Sequence, residues 1–396
     1  MKTLKTLAIF CLSAMMFACA APDAGDGNGN GNGNGGNTGN TKGLVLKADK
    51  YEVYPGEVVT FTVQYNGEVL TDGYDICDQN DNELEGNTFE AKEAGDFSFY
   101  AVIGAELSAD VKITVYPTPP DAPDAPADTE PNNRDFKRRV MLIQFTGTGC
   151  QFCPYMVNSL YDLYHAQNKE TQEYIYRDKY ILTAAHIGPW SGNDPARLEG
   201  EGVTIDDALG VEDYPALIID MVKTPISYDY SAIKTALINA YNRVEAKGGI
   251  AVNSLYDAAS KYVVLKAAVK AKETTAFRIG ACLLEDGISG TQSINSEIPL
   301  KKPEEINYHT HNNCIRAFRA IRGDNDLDFS GYDLGSIAAG DTKEMEFAFM
   351  LKSKWNVEKL RLVVYISTKE SDGVWRVNNV VEAEINKEVP FDYIKK

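Results

Sequence analysis

Hydrophobic and polar residues alternate through residues 44–117. In the segment VVTFTVQY, which begins at Val58, the side chains of Val59, Phe61 and Val63 fall on one face and threonines fall on the other. Successive side chains of a strand point to opposite faces of a sheet, so this pattern predicts half-buried strands. The segments FSFYAVIG and ADVKITVYP repeat it, and Asn-Gly and Ala-Gly pairs separate the strands. Several short strands of this kind predict a β-sandwich.

The pattern changes in residues 135–247, where short apolar runs alternate with helical periodicity. RRVMLIQF, YILTAAHI and YPALIID predict buried strands, and PYMVNSLYDLYHAQ predicts an amphipathic helix. TIDDALG predicts a short helix with Thr204 as its N-cap and Gly210 at its end, and Ser231 is expected to begin a longer helix. Strands that alternate with helices predict an α/β layer domain.

Strand-like alternation returns in residues 248–396. In YVVLKAAVKA the apolar side chains share a face opposite Lys266 and Lys270, and MEFAFML and LRLVVYI repeat the pattern. This predicts a second, C-terminal β-sandwich. Residues 118–134 are rich in proline and aspartate and predict an extended, semi-rigid linker. The fold class expected is therefore α+β and multidomain. The α/β domain is flanked by an N-terminal β-sandwich, which resembles bacterial immunoglobulin-like modules, and by the C-terminal β-sandwich.

The N-terminus predicts export and anchoring. Lys2 and Lys5 precede the apolar stretch LAIFCLSAMMFA, which stops at Cys19. Residues 1–18 resemble a lipoprotein signal peptide, and Cys19 would be the lipid attachment site. An ordinary signal peptide cleaved after Ala20 or Ala21 is the alternative. The Gly/Asn-rich residues 19–43 predict a flexible tether, so we expect a cell-envelope lipoprotein that is anchored to the membrane and does not span it.

The charge of the chain limits which partners it can bind, and its cysteines limit which disulfides it can form. The chain of 396 residues has a formal charge of −18, which repels phosphate backbones and argues against nucleic acid as a partner. Seven cysteines are present, and five of them lie beyond Cys19. In an oxidising compartment a well-placed pair forms a disulfide, so Cys282 and Cys314 are a possible structural disulfide, while Cys77 is interpreted as a small buried residue.

Cys150 and Cys153 are the candidate reactive pair. Three interpretations are considered for them: a metal site, a structural disulfide and a redox pair. A zinc site needs two further close ligands. His165 and His186 are isolated, while His309, His311 and Cys314 belong to another predicted domain. We therefore expect no metal here. A structural disulfide is possible, although closing so small a loop contributes little stability.

In the redox interpretation, Cys150 lies beside the start of a helix, where the free amides and the helix dipole favour the thiolate. Cys150 would then be the nucleophile and Cys153 the resolving thiol, with no diffusible cofactor.

This arrangement resembles the thioredoxin superfamily. The resemblance rests on the VMLIQF strand, on Cys-Gln-Phe-Cys at the next turn, and on Tyr214-Pro215 ahead of the strand ALIID. It implies that Pro215 is cis, faces the cysteine pair and positions an extended partner. The chain departs from thioredoxin at Gly149, where a tryptophan is usual, and at Gln151-Phe152, where Gly-Pro is usual.

A narrower resemblance covers most of the mature chain. FTGTGCQFCP, AHIG, YPALIID and HNNCIRAF, in this order, are similar to segments of the outer membrane protein 28-related lipoproteins. The resemblance implies an outer membrane location, either periplasmic or surface-exposed, in Gram-negative bacteria of the Bacteroides type.

Two functions are expected from these residues. The first is thiol–disulfide exchange on exported proteins that carry thiols or disulfides, through Cys150, Cys153 and Pro215. The alternative is a non-enzymatic surface lipoprotein, binding or adhesive, in which Cys150–Cys153 is a static disulfide. His186, at the end of an apolar strand, is interpreted as a packed or solvent-facing residue, with a role as proton acceptor near Cys150 as the alternative.

Overall fold

The computed structural model describes residues 43–198, 205–319, 321–322 and 327–395. Cys19 and Thr204 lie outside the described residues, so the lipid attachment site and the predicted N-cap remain sequence-based expectations. No helix within the described ranges is long and apolar enough to cross a membrane.

Two sheets form the N-terminal part. Its strands are β1 (Leu44–Ala48), β2 (Glu52–Val53), β3 (Val58–Tyr65), β4 (Glu68–Val69), β5 (Asp75–Asp78), β6 (Thr88–Glu90), β7 (Gly95–Ile103), β8 (Glu106–Leu107) and β9 (Val111–Val115). One sheet has the order β1-β3-β4 with β6 beside β3, and the other has the order β2-β9-β7-β5 with β8 beside β7. They share one core, in which the rings of Phe61 and Phe99 lie 4.9 Å apart. The alternation predicted for β3 is confirmed, because its inward residues are buried and its threonines are exposed.

In the described residues, the middle part contains three strands and three α-helices. They are β10 (Val140–Thr146), α1 (Cys153–His165), β11 (Tyr180–His186), α2 (Ile205–Leu209), β12 (Ala216–Ile219) and α3 (Tyr230–Arg243). β10 lies between β11, which is parallel to it, and β12, which is antiparallel. Helices α1 and α3 pack together on one face of these strands. The α3 helix begins one residue before Ser231, because Asp229 is its N-cap and accepts a hydrogen bond from the Ala232 amide.

The C-terminal part is built from strands. They are β13 (Gly248–Asp257), β14 (Tyr262–Ala271), β15 (Thr275–Glu285), β16 (Ile288–Ser289), β17 (Thr310–His311), β18 (Cys314–Arg319), β19 (Ile321–Arg322), β20 (Leu327–Asp328), β21 (Tyr332–Ile337), β22 (Thr342–Met350), β23 (Leu360–Lys369) and β24 (Trp375–Glu384). The three-stranded sheet β13-β14-β22 packs over β15, β21, β23 and β24 around one large apolar core. Two packed sheets agree with the β-rich pattern of the sequence.

One eight-stranded sheet joins the middle and C-terminal parts. Its order is β12-β10-β11-β18-β15-β23-β24, with β21 beside β15. The junction is the parallel contact between β11 and β18, where Ala184 lies opposite Cys314. The core on one face of this sheet contains residues of both parts, such as Phe145 and Val363. The C-terminal strands are therefore packed directly against the elements that hold the cysteine pair.

The proline-rich linker is fixed to the C-terminal part by a buried lysine. Lys270 is almost completely buried, and its ammonium group donates to Asp128 at 2.6 Å and to the carbonyl oxygens of Pro131 and Asn133 at 2.9 Å. The face of β14 that carries Lys266 and Lys270 is polar in the sequence, yet the linker covers it. A buried ammonium group needs such a set of acceptors, so Lys270 specifies where the linker lies.

Candidate functional site

Cys150 and Cys153 are joined by a disulfide in the loop between β10 and α1. Cys153 is the first residue of α1, and Pro154 follows in the first turn, where its missing amide hydrogen costs no hydrogen bond. Met156, Leu160 and Leu163 face the sheet and are buried. This is the strand–loop–helix arrangement that the sequence predicts around the pair.

Pro215 lies at the same end of the sheet as the disulfide. The Tyr214–Pro215 peptide bond is cis. Phe145, near the end of β10, lies opposite Ala216, the residue that follows Pro215. Thr146, the last residue of β10, lies opposite His186 on β11. The ends of three adjacent strands therefore gather Pro215, His186 and the loop that holds Cys150.

One side of this loop is closed by residues 188–196. The Gly149 amide donates to the Trp190 carbonyl at 3.0 Å. A Cβ atom on Gly149 would lie 2.7 Å from that carbonyl oxygen, and one on Gly147 would lie 3.1 Å from it. Glycine is therefore required where thioredoxin usually has a tryptophan, because another backbone segment occupies the space.

The other side of the loop is closed by residues 290–299, which we call the cover segment. The Ser293 amide donates to the Thr148 carbonyl at 2.7 Å, and the Asn295 amide donates to the Gln151 carbonyl at 3.0 Å. The side-chain amide of Gln292 donates to the Cys150 carbonyl at 2.8 Å and to the Gly147 carbonyl at 3.3 Å. Between these two segments Cys150 is only 3% exposed and Cys153 is fully buried.

The cover segment is also fastened to helix α1. The side-chain amide of Asn158 donates to the Pro299 carbonyl at 3.1 Å, and the Tyr155 hydroxyl donates to the Glu297 carbonyl at 3.4 Å. Just beyond the segment, Lys301 forms an ion pair of 2.6 Å with Asp162. The sequence does not reveal this contact, because the cover segment has neither apolar periodicity nor a charge pattern.

Asp194 connects the loop to His186. One of its carboxyl oxygens accepts hydrogen bonds from the Thr148 amide at 2.7 Å and from His186 Nδ1 at 2.8 Å. Burial acts to raise the pKa of Asp194, but the hydrogen bond and charge of His186 and the amides of Thr148 and Ala196 outweigh it, so the pKa lies below its ordinary value. His186 is thus a packed residue whose ring is held by a buried carboxylate.

His311 completes the buried polar group. Its ring centroid lies 4.9 Å from that of His186, and its Nε2 lies 3.1 Å from the Gly290 carbonyl oxygen. Burial lowers the pKa of His311, and the neighbouring His186 lowers it further. His309 also has a hydrogen-bond partner, because its Nδ1 accepts a hydrogen bond from the main-chain amide of Gln292 at 3.0 Å. Within the part of the chain that the structure describes, no three His, Cys, Asp or Glu side chains are arranged to hold a metal ion.

Cys282 and Cys314 do not form the disulfide that the sequence left open. Both are free and buried thiols. β15 and β18 are antiparallel neighbours, but Cys282 lies opposite Phe318 and Cys314 lies opposite Glu285. This register keeps the two thiols apart along the strands. Burial raises the pKa of both thiols, so they are packing residues in the neutral form. Cys77 is also free, but it is only half-buried in β5.

A cavity of about 690 Å³ lies on the face of the sheet that carries α1. Its floor is formed by β10 and β11, and His186 and His311 are among its lining residues. Helix α1 forms one wall, and residues 305–313 form the other. The volume is within the range of sites that bind small molecules.

A family comparison matches part of the chain. Residues 203–389 match a family of outer membrane proteins, which is described as outer membrane protein Omp28. The match covers α2, β12, α3 and all of the strands from β13 to β24. It confirms the resemblance to outer membrane protein 28-related proteins over these residues, and the family description points to the outer membrane of the cell envelope.

Comparison with individual proteins adds little. No curated protein sequence is significantly similar to this chain. HBP35 of Porphyromonas gingivalis is 14% identical, with 66% of this chain and 79% of that chain covered and a TM-score of 0.47. A DUF4785 family protein of Legionella pneumophila is 8% identical, with coverage of 87% and 56% and a TM-score of 0.19. These likenesses are too weak to define the fold.

Proposed function

We propose that this protein is a non-enzymatic binding protein of the cell envelope, in which Cys150–Cys153 is a static disulfide. The observation that carries the proposal is the burial of Cys150, which is 3% exposed beneath the cover segment. Thiol–disulfide exchange requires a thiolate to reach one of the two sulfur atoms, so its rate depends on access. A pair enclosed on both sides offers no such path.

The main-chain groups of the cysteine loop already form hydrogen bonds, which supports the same conclusion. An extended partner would need free backbone groups beside the cysteine pair. Here the carbonyl groups of Thr148 and Gln151 already accept amides of the cover segment, and the amide of Gly149 is bound by Trp190. The chain's own segments thus take the positions in which a thiol partner would lie.

Membrane attachment through Cys19 is part of the proposal. It rests on the lipoprotein-like sequence of residues 1–18 and on the Gly/Asn-rich residues that follow. The family description, which points to the outer membrane, agrees with this location. A tether of this composition would hold the folded part at a distance from the membrane surface.

Thiol–disulfide exchange in a thioredoxin-like domain is the second candidate. Two features favour it: the arrangement of β12, β10 and β11 beside α1, and the position of Cys153 as the first helical residue. Under this candidate the cover segment would have to leave the loop before each reaction, and exported proteins with thiols or disulfides would be the partners.

Insulin reduction separates the two candidates. With dithiothreitol as the electron source, we expect the mature protein to reduce insulin no faster than the Cys150→Ser variant, while a thioredoxin serves as the positive control. Circular dichroism of both forms shows whether they are folded equally. Turnover that is present in the parent protein and lost in the variant would establish the exchange reaction and rule out a static disulfide.

A further inference from the structure

The floor of the cavity over β10 and β11 carries polar groups that the protein itself does not satisfy. Gln144 is 6% exposed and Thr146 is 5% exposed, and both lie on the face of β10 that lines the cavity. Neither side chain has a hydrogen-bond partner among the described residues. Tyr180, on β11, is 7% exposed, and its hydroxyl group is likewise without a described partner. His186 adds a ring whose Nδ1 is bound by Asp194 and whose Nε2 is left for the cavity.

Buried polar side chains of globular proteins are nearly always hydrogen-bonded, because burial without a partner costs free energy. The polar atoms of these four side chains are not among the fully buried atoms that lack a partner, so they reach the space of the cavity, where its contents complete their hydrogen bonds. Strand spacing places Tyr180 and His186 roughly 20 Å apart, since six residues of β11 separate them. The floor is therefore longer than a single small group such as a phosphate or a carboxylate.

Gln144, Thr146 and Tyr180 carry no charge, which favours an uncharged ligand. Gln144 can both donate and accept, and the hydroxyl groups of Thr146 and Tyr180 can do the same. His186 is bound to the Asp194 carboxylate through Nδ1, which leaves Nε2 for a group in the cavity. Hydroxyl groups, which donate and accept, match this set.

Charged residues at the edge of the cavity have partners within the protein. Arg361 donates to Asp286 at 2.9 Å and to Glu382 at 2.6 Å. The Arg177 guanidinium lies over the Tyr164 ring, 3.9 Å from its centroid, and also over the ring of Tyr174. Glu305 also lies at this edge, where it accepts the Lys302 main-chain amide at 3.0 Å. The opposite charges of Arg177 and Glu305 offset each other, so neither a phosphate nor an ammonium compound is favoured.

Aromatic rings supply the wall. Tyr161 and Tyr164 project from α1, and Tyr308 faces them from residues 305–313. Tyrosine rings beside neutral donors and acceptors suit a molecule with flat apolar faces and a polar edge. A pyranose ring has this combination, since its C–H groups form faces and its hydroxyl groups form the edge.

We propose that this cavity binds a neutral, hydroxyl-rich small molecule of the saccharide class, held against the tyrosine wall by Gln144, Thr146 and His186, with Tyr180 at the far end of the floor. This inference deepens the binding role proposed above and rests on it. In that role the protein would bind a small molecule at this site, rather than the surface of another protein.

Isothermal titration and saturation-transfer NMR test this with a panel of neutral mono- and disaccharides, for example maltose, cellobiose and N,N′-diacetylchitobiose. We expect at least one of them to bind to the mature protein. Gln144→Leu and Thr146→Val each remove floor groups with little change of volume and should weaken that binding about tenfold or more. Gln64→Leu, on β3 of the N-terminal part, is the matched control and should leave it unchanged.

Failure of the whole panel to bind would overturn the inference. So would binding that both floor variants leave intact while their melting temperatures match the parent protein. Tighter binding of glucose 6-phosphate than of glucose would contradict the neutral site. Insulin reduction by the same sample would remove the proposed non-enzymatic role without affecting these binding results, so the two failures can be told apart.

Discussion

Asp194 is the residue on which the closed form of the site depends most. Its carboxylate accepts the Thr148 amide and His186 Nδ1 through one oxygen and the Ala196 amide at 2.9 Å through the other. It therefore joins the cysteine loop, the end of β11 and residues 188–196. In the sequence Asp194 lies in the polar stretch SGNDPARLEG. Nothing in that stretch distinguishes it from a solvent-exposed loop residue, so only the fold reveals its role.

The protonation of Asp194 should affect stability in acid. Its folded pKa lies below the ordinary value of 3.8, so folding favours the carboxylate. The stabilisation is therefore complete above the ordinary pKa and is lost as the pH falls through the lower, folded pKa. Asp194→Asn should lower the free energy of unfolding by about 1.5–3 kcal/mol at neutral pH, because it weakens charged hydrogen bonds.

Urea denaturation followed by tryptophan fluorescence measures this effect at neutral pH and in acid. The difference between the parent protein and Asp194→Asn should shrink in acid, where both carry an uncharged group at this position. Asp213→Asn, at an exposed position, is the control and should be nearly neutral at both pH values. A difference that grows in acid would contradict the assignment of the carboxylate.

Gly149 is a residue whose role follows only in part from the sequence. Its departure from the usual tryptophan is visible in the sequence, but its cause is the Trp190 carbonyl, which lies 41 positions later in the chain. The cis state of Tyr214–Pro215 agrees with the expectation from family resemblance. The open pairing of Cys282 and Cys314 was resolved only by strand register, which the sequence does not contain.

The cover segment is the element that decides the chemistry of the cysteine pair. Gln292 is its most specific contact, because its side-chain amide binds the Cys150 and Gly147 carbonyl groups and is itself buried. Strands and helices of the middle part were predictable from apolar runs and helical periodicity. The cover segment has no such pattern and takes its place only through tertiary contacts, so the sequence left Cys150 accessible.

Removing the Gln292 side chain should expose the disulfide. In Gln292→Ala two hydrogen bonds to the loop are lost, so the loop should open more often and dithiothreitol should reduce the pair about tenfold faster. Gln151→Ala is the matched control, since Gln151 is exposed and its side chain has no partner among the described residues. Trapping of free thiols with a maleimide reports the rate. Equal rates in the two variants and the parent protein would show that the cover segment does not protect the pair.

At the scale of the whole molecule, the principal finding is the continuous eight-stranded sheet. The change of pattern near residue 247 predicts a β-rich C-terminal part, and that part is observed. The sequence gives no indication that β18 lies beside β11, because parallel strands so distant in the chain pair through backbone groups. This single contact brings the cover segment and residues 305–313 over the cysteine loop and the cavity.

The reduction potential of the Cys150–Cys153 pair tests the central claim, a closed and static disulfide, most directly. The mature protein is equilibrated in glutathione buffers, and its thiols are counted by the mass added on alkylation. We predict a potential below about −300 mV, or no exchange on the time scale of the experiment, as for structural disulfides. A potential between about −120 and −270 mV that is reached rapidly would contradict the account and establish a redox-active pair.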